Sequence, residues 1–169
     1  MRIIFTNLIT TVIGAFIGGL FSLWIVKIQL QAKENEKKAE QANKIAAWID
    51  IESLVSENAQ HLVLRNASDL PVYDVLILVV NNRTPKDYKE IQPKDFISFK
   101  IYSLLEPAEK TDGVRTGGKA SGGQRPMVAI LFTDSLMQHW YRNQFGKLML
   151  LSDAEYNALI KNLGFRPPL

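Results

Sequence analysis

The stretch "NASDLPVYDVLILVV", residues 66–80, decides the fold. Its second half, "VYDVLILVV" (72–80), is a β-branched run long enough for a central strand. Ahead of it Asn66, Ser68 and Asp69 are turn formers, and Pro71 fixes the backbone where the chain enters the strand. Val72 and Tyr73 then point to opposite faces. Two roles compete for this segment. It is either a hairpin that feeds a core strand, or a binding edge made of Asn66, Ser68, Asp69, Pro71 and Tyr73, because loops at the ends of sandwiches often bind partners.

Outward from this strand the same signals recur. "AAWIDIE" (46–52) and "HLVLRN" (61–66) alternate apolar and polar residues, as does "FISFKIYSLL" (96–105). "MVAILFTD", "HWYRN" and "GKLMLL" follow between 127 and 151, and "NNRTPKD" (81–87) is a polar turn cluster. Residues 110–126, "KTDGVRTGGKASGGQRP", read as a long glycine-rich loop. About seven short strands separated by turns predict an all-β antiparallel, Ig-like sandwich over 46–151. The remainder, 152–169, carries a Ser-x-x-Glu capping box at Ser152 and Glu155, apolar residues at Ala154, Leu159 and Leu163, and a stop at Gly164 before Pro167. It predicts a short amphipathic helix docked on the sandwich or its partner.

The N-terminal end is different in kind. Residues 3–26 are 24 residues without a charge. A helix of that length reaches roughly 36 Å, against a hydrocarbon core of about 30 Å. No small-x-small cleavage site follows, so the expectation is a retained transmembrane anchor over 1–27, with Trp24 and Lys27 at the membrane interface. Only Arg2 and the amine precede the span, whereas Lys27, Lys33, Lys37 and Lys38 follow it, which predicts an external N-terminus and a cytoplasmic sandwich at a bacterial inner membrane. Thr6, Thr10, Gly14, Gly18 and Ser22 recur every fourth residue and form one small-residue stripe. Lipid gives no hydrophobic gain for helix association, so such a stripe predicts close packing with itself or with another membrane protein. Residues 28–45 read as a charged helical stalk, with a weak seven-residue register through Ile25, Ala32, Ala39 and Ala46 and through Ile28, Asn35, Ala42 and Ile49.

Composition removes several function classes. The chain has 169 residues, no cysteine and a net charge of +3, with no basic stripe interleaved with aromatics. Nucleic acid and thiol chemistry therefore have no support. "GVRTGGKA" (113–120) matches a phosphate-loop spacing but places Ala120 where a hydroxyl would hold the metal, and no strand and helix flank it. His61 and His139 stand alone, without ligands at metal spacing, and no serine sits in a GxSxG elbow. The expectation is a protein that binds rather than catalyses, with no cofactor, no metal and no small-molecule substrate; its partners are the lipid bilayer and a second protein.

"QANKIAAWID", "LRNASDLPVYDVLI" and "FTDSLMQHWYRNQFGKL" together resemble a recurrent set of small bacterial single-pass membrane proteins with an Ig-like domain. The matching residues are Ala47 and Trp48, placed at a helix end in that pattern, then Asn66, Ser68, Pro71, Val72, Tyr73, Val75, Phe132, Asp134, Trp140, Arg142, Gly146 and Leu148. Here "SLMQH" replaces the glycine turn more usual before the tryptophan. The resemblance implies the fold and the anchor, and brings no activity with it. In architecture alone, the chain is also similar to prophage superinfection-exclusion proteins, which sit at the membrane and stop incoming phage DNA. That implies phage exclusion as the sharpest function. The alternatives are a scaffold or regulatory subunit of a membrane complex, and an oligomerising effector that acts on the membrane.

Overall fold

A computed structural model describes residues 2–56, 59–85, 87–117 and 123–166; the side chains at 2–17, 32, 34, 35, 37, 38 and 51–56 lie outside that description. The elements are α1 (Arg2–Asn43), β1 (Ile45–Ser56), β2 (Ala59–Asn66), β3 (Val72–Asn81), β4 (Ser98–Leu105), β5 (Ala108–Arg115), β6 (Pro126–Thr133), β7 (His139–Arg142), β8 (Leu148–Leu151) and α2 (Asp153–Asn162). All strand pairings are antiparallel. Three strands in the order β1-β2-β5 form one sheet, and five in the order β4-β3-β6-β7-β8 form the other.

β3 shows why its sequence is apolar at nearly every position. Leu76, Leu78 and Val80 join Ala129, Leu131, Tyr141 and Leu151 in one cluster, which Tyr156, Leu159, Ile160 and Leu163 at the C-terminal end of the chain close from outside. Residues of the other parity, Ile77 and Val79, are equally buried. They share a face with Val128 and Ile130 of β6, the strand that β1 of the opposite sheet contacts. The domain thus has three layers, with α2 covering the outer face of the five-stranded sheet. A strand buried on both faces has no polar side to show. The expected sandwich and C-terminal helix are present, and α2 starts at the expected capping box: Ser152 Oγ accepts from Glu155 N and the Glu155 carboxylate accepts from Ser152 N.

Two expectations fail. The segment expected to open the glycine-rich loop is a strand: β5 pairs with β2 from Ala59↔Arg115 to Asn66↔Ala108, which makes eight strands among the described residues. "AEKTDGVR" is polar because β5 is an edge strand with one exposed face, and its pairing with β2 is invisible locally. Gly113 and Arg115 of the phosphate-loop match lie in that strand, and residues 118–122 lie outside the described residues. The second failure concerns the helix end. α1 stops at Asn43, so Ala47 and Trp48 belong to β1, and the seven-residue register cannot pass through Ala46 or Ile49.

The chain divides into two compact units, Met1–Glu40 and Gln41–Leu169, so the last three residues of α1 belong to the sandwich unit. Among the described residues no helix is long and apolar enough to cross a membrane. The side chains of 1–17, which make up most of the uncharged run, lie outside that description. So do those of Thr6, Thr10 and Gly14.

Candidate functional site at the helix-to-sandwich junction

Gln41 organises the junction. Its Nε2 donates to Leu70 O at 3.1 Å and Pro71 O at 3.0 Å, and its Oε1 accepts from Ser135 N at 3.0 Å and Ser135 Oγ at 2.7 Å. One amide therefore joins the end of α1, the loop before β3 and the turn between β6 and β7. Each loop is braced from within. Asn66 Nδ2 donates to Leu70 O (2.8 Å) and Leu105 O (3.2 Å), while its Oδ1 accepts from Ser68 N (3.0 Å) and lies 2.6 Å from the Ser68 hydroxyl. In the second loop the fully buried Asp134 accepts from Leu136 N and Gln138 N at 2.9 Å each, and from Trp140 Nε1 at 2.7 Å. A buried carboxylate with three donors is a satisfied structural anion.

Arg142 completes the arrangement. Its guanidinium donates to Gly146 O at 2.8 Å and to Ala42 O at 3.0 Å, at the C-terminus of α1. The last carbonyls of a helix lack internal partners and carry its negative dipole end, so a cation there both bonds and neutralises. Burial pulls the Arg142 pKa down from its usual value, but guanidinium stays charged. Asn66, Ser68, Asp134, Trp140, Arg142 and Gly146, which carry the resemblance, thus lie together in the hydrogen bonding of this junction.

The same end of the domain holds a titratable group. Asp74 sits at a bulge of β3 with φ +49, a left-handed backbone that a non-glycine residue rarely takes. Burial raises its pKa and the nearby His139 opposes the rise. His139 stacks on Tyr156 (3.8 Å between ring centres, 11° between planes) and its Nδ1 lies 2.9 Å from Thr133 Oγ1. Its Nε2 is 3.7 Å from Asp153 Oδ1. Burial, with Asp74 adding, pushes Tyr156 up to about 12. Hydroxyl, imidazole and carboxylate follow one another as in a hydrolase, but Thr133 is fully buried, so a substrate has no path to its oxygen. The 3.7 Å imidazole–carboxylate gap is also beyond hydrogen-bond length. The group packs α2 onto the sheet.

The expected binding-edge residues therefore separate. Asn66 and Ser68 are buried and Pro71 is half-buried, all engaged at the junction, whereas Asp69 and Tyr73 are exposed. Beside them the loops present Leu70, Leu136 and Met137, more than half exposed and next to the Gln41 bonds. Met137, at φ +59, holds a left-handed backbone position of the kind that favours glycine. Gln41, Leu136 and Met137 were not readable as site residues: a glutamine among helix formers and a leucine in a turn carry no local signal. In α1, Ser22 Oγ donates back to Gly18 O at 2.8 Å, and a Cβ on Gly18 or Gly19 would meet nothing within 4 Å, which leaves that stretch open to a neighbour. Trp24 and Lys27 are exposed, and Trp24 packs against Phe21 at 5.7 Å.

Among the described residues no three His, Asp or Glu side chains gather to hold a metal. No family model matches the chain, and no curated protein matches it.

Proposed function

We propose that this chain is a single-pass membrane-anchored binding protein of bacteria, with its N-terminus outside and an Ig-like sandwich in the cytoplasm, and that it acts by phage exclusion. The Ig-like reading is supported by strand order: β1-β2-β5 against β4-β3-β6-β7 follows the Greek-key division of such sandwiches, with β8 added. The observation that carries the anchored reading is continuity. The uncharged residues 3–26 lie in α1, and the same helix ends in Gln41–Asn43, which are bonded inside the sandwich unit by Gln41 and Arg142. The exposed Leu70, Leu136 and Met137 on loops, with Tyr73 at the start of β3 beside them, offer apolar contact area held by a rigid scaffold, the usual place for a protein partner.

The test is plating of a phage panel on cells expressing the full-length chain, with adsorption and DNA entry scored separately. Normal adsorption with blocked entry is the expected result. Unchanged plating and entry across the panel would remove phage exclusion and leave the scaffold role in a membrane complex.

A further inference from the structure

The chain has four methionines and no cysteine, so methionine carries all of its sulfur. Met1 lies outside the described residues, and the other three differ in setting. Met127 of β6 and Met149 of β8 are half-buried against the apolar cluster beneath α2. Met137 is 68% exposed in the turn between β6 and β7, with Leu136 beside it and Leu70 across the Gln41 bonds. The turn makes no use of the Met137 side chain. Asp134 holds it through the backbone: its carboxylate accepts from Leu136 N and Gln138 N, its carbonyl accepts from Met137 N at 3.0 Å, and its own amide donates to Gln138 O at 2.9 Å. At φ +59 the residue also holds a backbone that glycine would adopt without strain, and it gains no burial in return. A strained residue that adds nothing to packing directs attention to what its side chain does outside the fold.

We propose that Met137 is a redox-sensitive modification site: an oxidant of the peroxide class converts it to the sulfoxide in the folded protein, and the surface beside Gln41 changes polarity while the fold stays intact. The thioether sulfur gives an electron pair to one peroxide oxygen, so an S–O bond forms and the O–O bond breaks. Sulfur is oxidised by two electrons and the peroxide is reduced; the departing hydroxide takes the proton of the transferred hydroxyl and leaves as water. An apolar, flexible side chain becomes a polar one, and sulfoxide reductases reverse the step, so the site can cycle. At Met127 or Met149 the same oxygen would be forced against the cluster that α2 covers, whereas at Met137 it meets solvent. Position thus separates a switch from damage. That the sulfoxide weakens partner binding rests on the loop surface proposed above, in which it replaces one of the exposed apolar side chains Leu70, Leu136 and Met137.

The test treats the full-length chain in detergent micelles with limiting hydrogen peroxide and follows each methionine by peptide mass spectrometry. Met137 sulfoxide is expected to form roughly tenfold faster than sulfoxide at Met127 or Met149, because susceptibility follows exposure. The urea midpoint of the chain oxidised at Met137 alone is expected to equal that of the untreated chain, and a methionine sulfoxide reductase should restore the thioether. Equal rates at the three positions, or a lower midpoint after oxidation of Met137 alone, would overturn the site. In phage-challenged cells, sublethal peroxide should reduce exclusion by the parent chain more than by Met137→Leu, each compared with its own untreated cells. Equal losses would overturn the switch. A parent chain that excludes no phage before peroxide would remove the proposed function instead, and the oxidation rates and midpoint would still decide the site.

Discussion

Gln41 holds three chain segments through one side-chain amide. Its replacement by alanine strands the Ser135 amide and weakens two carbonyl contacts. With about 1 kcal/mol per net hydrogen bond, Gln41→Ala is expected to cost roughly 2–3 kcal/mol, read as a lower urea midpoint at unchanged slope. Met137 has the opposite sign. It is exposed and sits at φ +59, so it contributes little packing while holding a strained backbone. Met137→Gly is expected to raise stability by roughly 0.5–1 kcal/mol in the same assay, and no change would mean that the turn relaxes without strain. These two positions also mark what a sequence can reveal at this scale. The turn between "MVAILFTD" and "HWYRN" was visible in the chain, because turn chemistry is local. The role of Gln41 was not, because its partner Ser135 lies 94 residues away.

At the scale of elements, legibility follows the range of the forces. β3 was readable because burial on two faces leaves an uninterrupted apolar run, and α2 because its capping box lies within four residues. β5 was not, since a polar edge strand exists only through its ladder to β2. The α2 cap also sets a pH dependence. Glu155 is held well below the ordinary carboxylate value of 4.5, at about 2, first by the Tyr88 hydroxyl at 2.6 Å and then by the amide and hydroxyl of Ser152. A carboxylate whose folded pKa is depressed stabilises the fold above its unfolded pKa and loses that contribution as the pH falls through its folded pKa. The α2 docking should therefore weaken as pH falls from about 4.5 toward about 2, and Glu155→Gln should flatten that part of the profile. A pH profile that Glu155→Gln leaves unchanged would assign the acid sensitivity to another group.

At the scale of the molecule, the proposed role depends on the small-residue stripe of α1 as well as on the sandwich. Leucine at Gly14 and Gly18 removes the close approach of helix backbones that the stripe would permit. Gly14→Leu/Gly18→Leu is expected to abolish phage exclusion while leaving the amount of protein in the membrane fraction unchanged. Full exclusion by that variant would show that the stripe is not used. The most direct measurement of the central claim is labelling of single cysteines in intact cells with a membrane-impermeant maleimide, using Ile3→Cys at one end and Ser103→Cys on β4 at the other. An anchored protein with a cytoplasmic sandwich labels at residue 3 in intact cells and at residue 103 only after lysis. Labelling of neither position before lysis, with the chain recovered in the soluble fraction, would contradict the anchor, and labelling of residue 103 in intact cells would contradict its orientation.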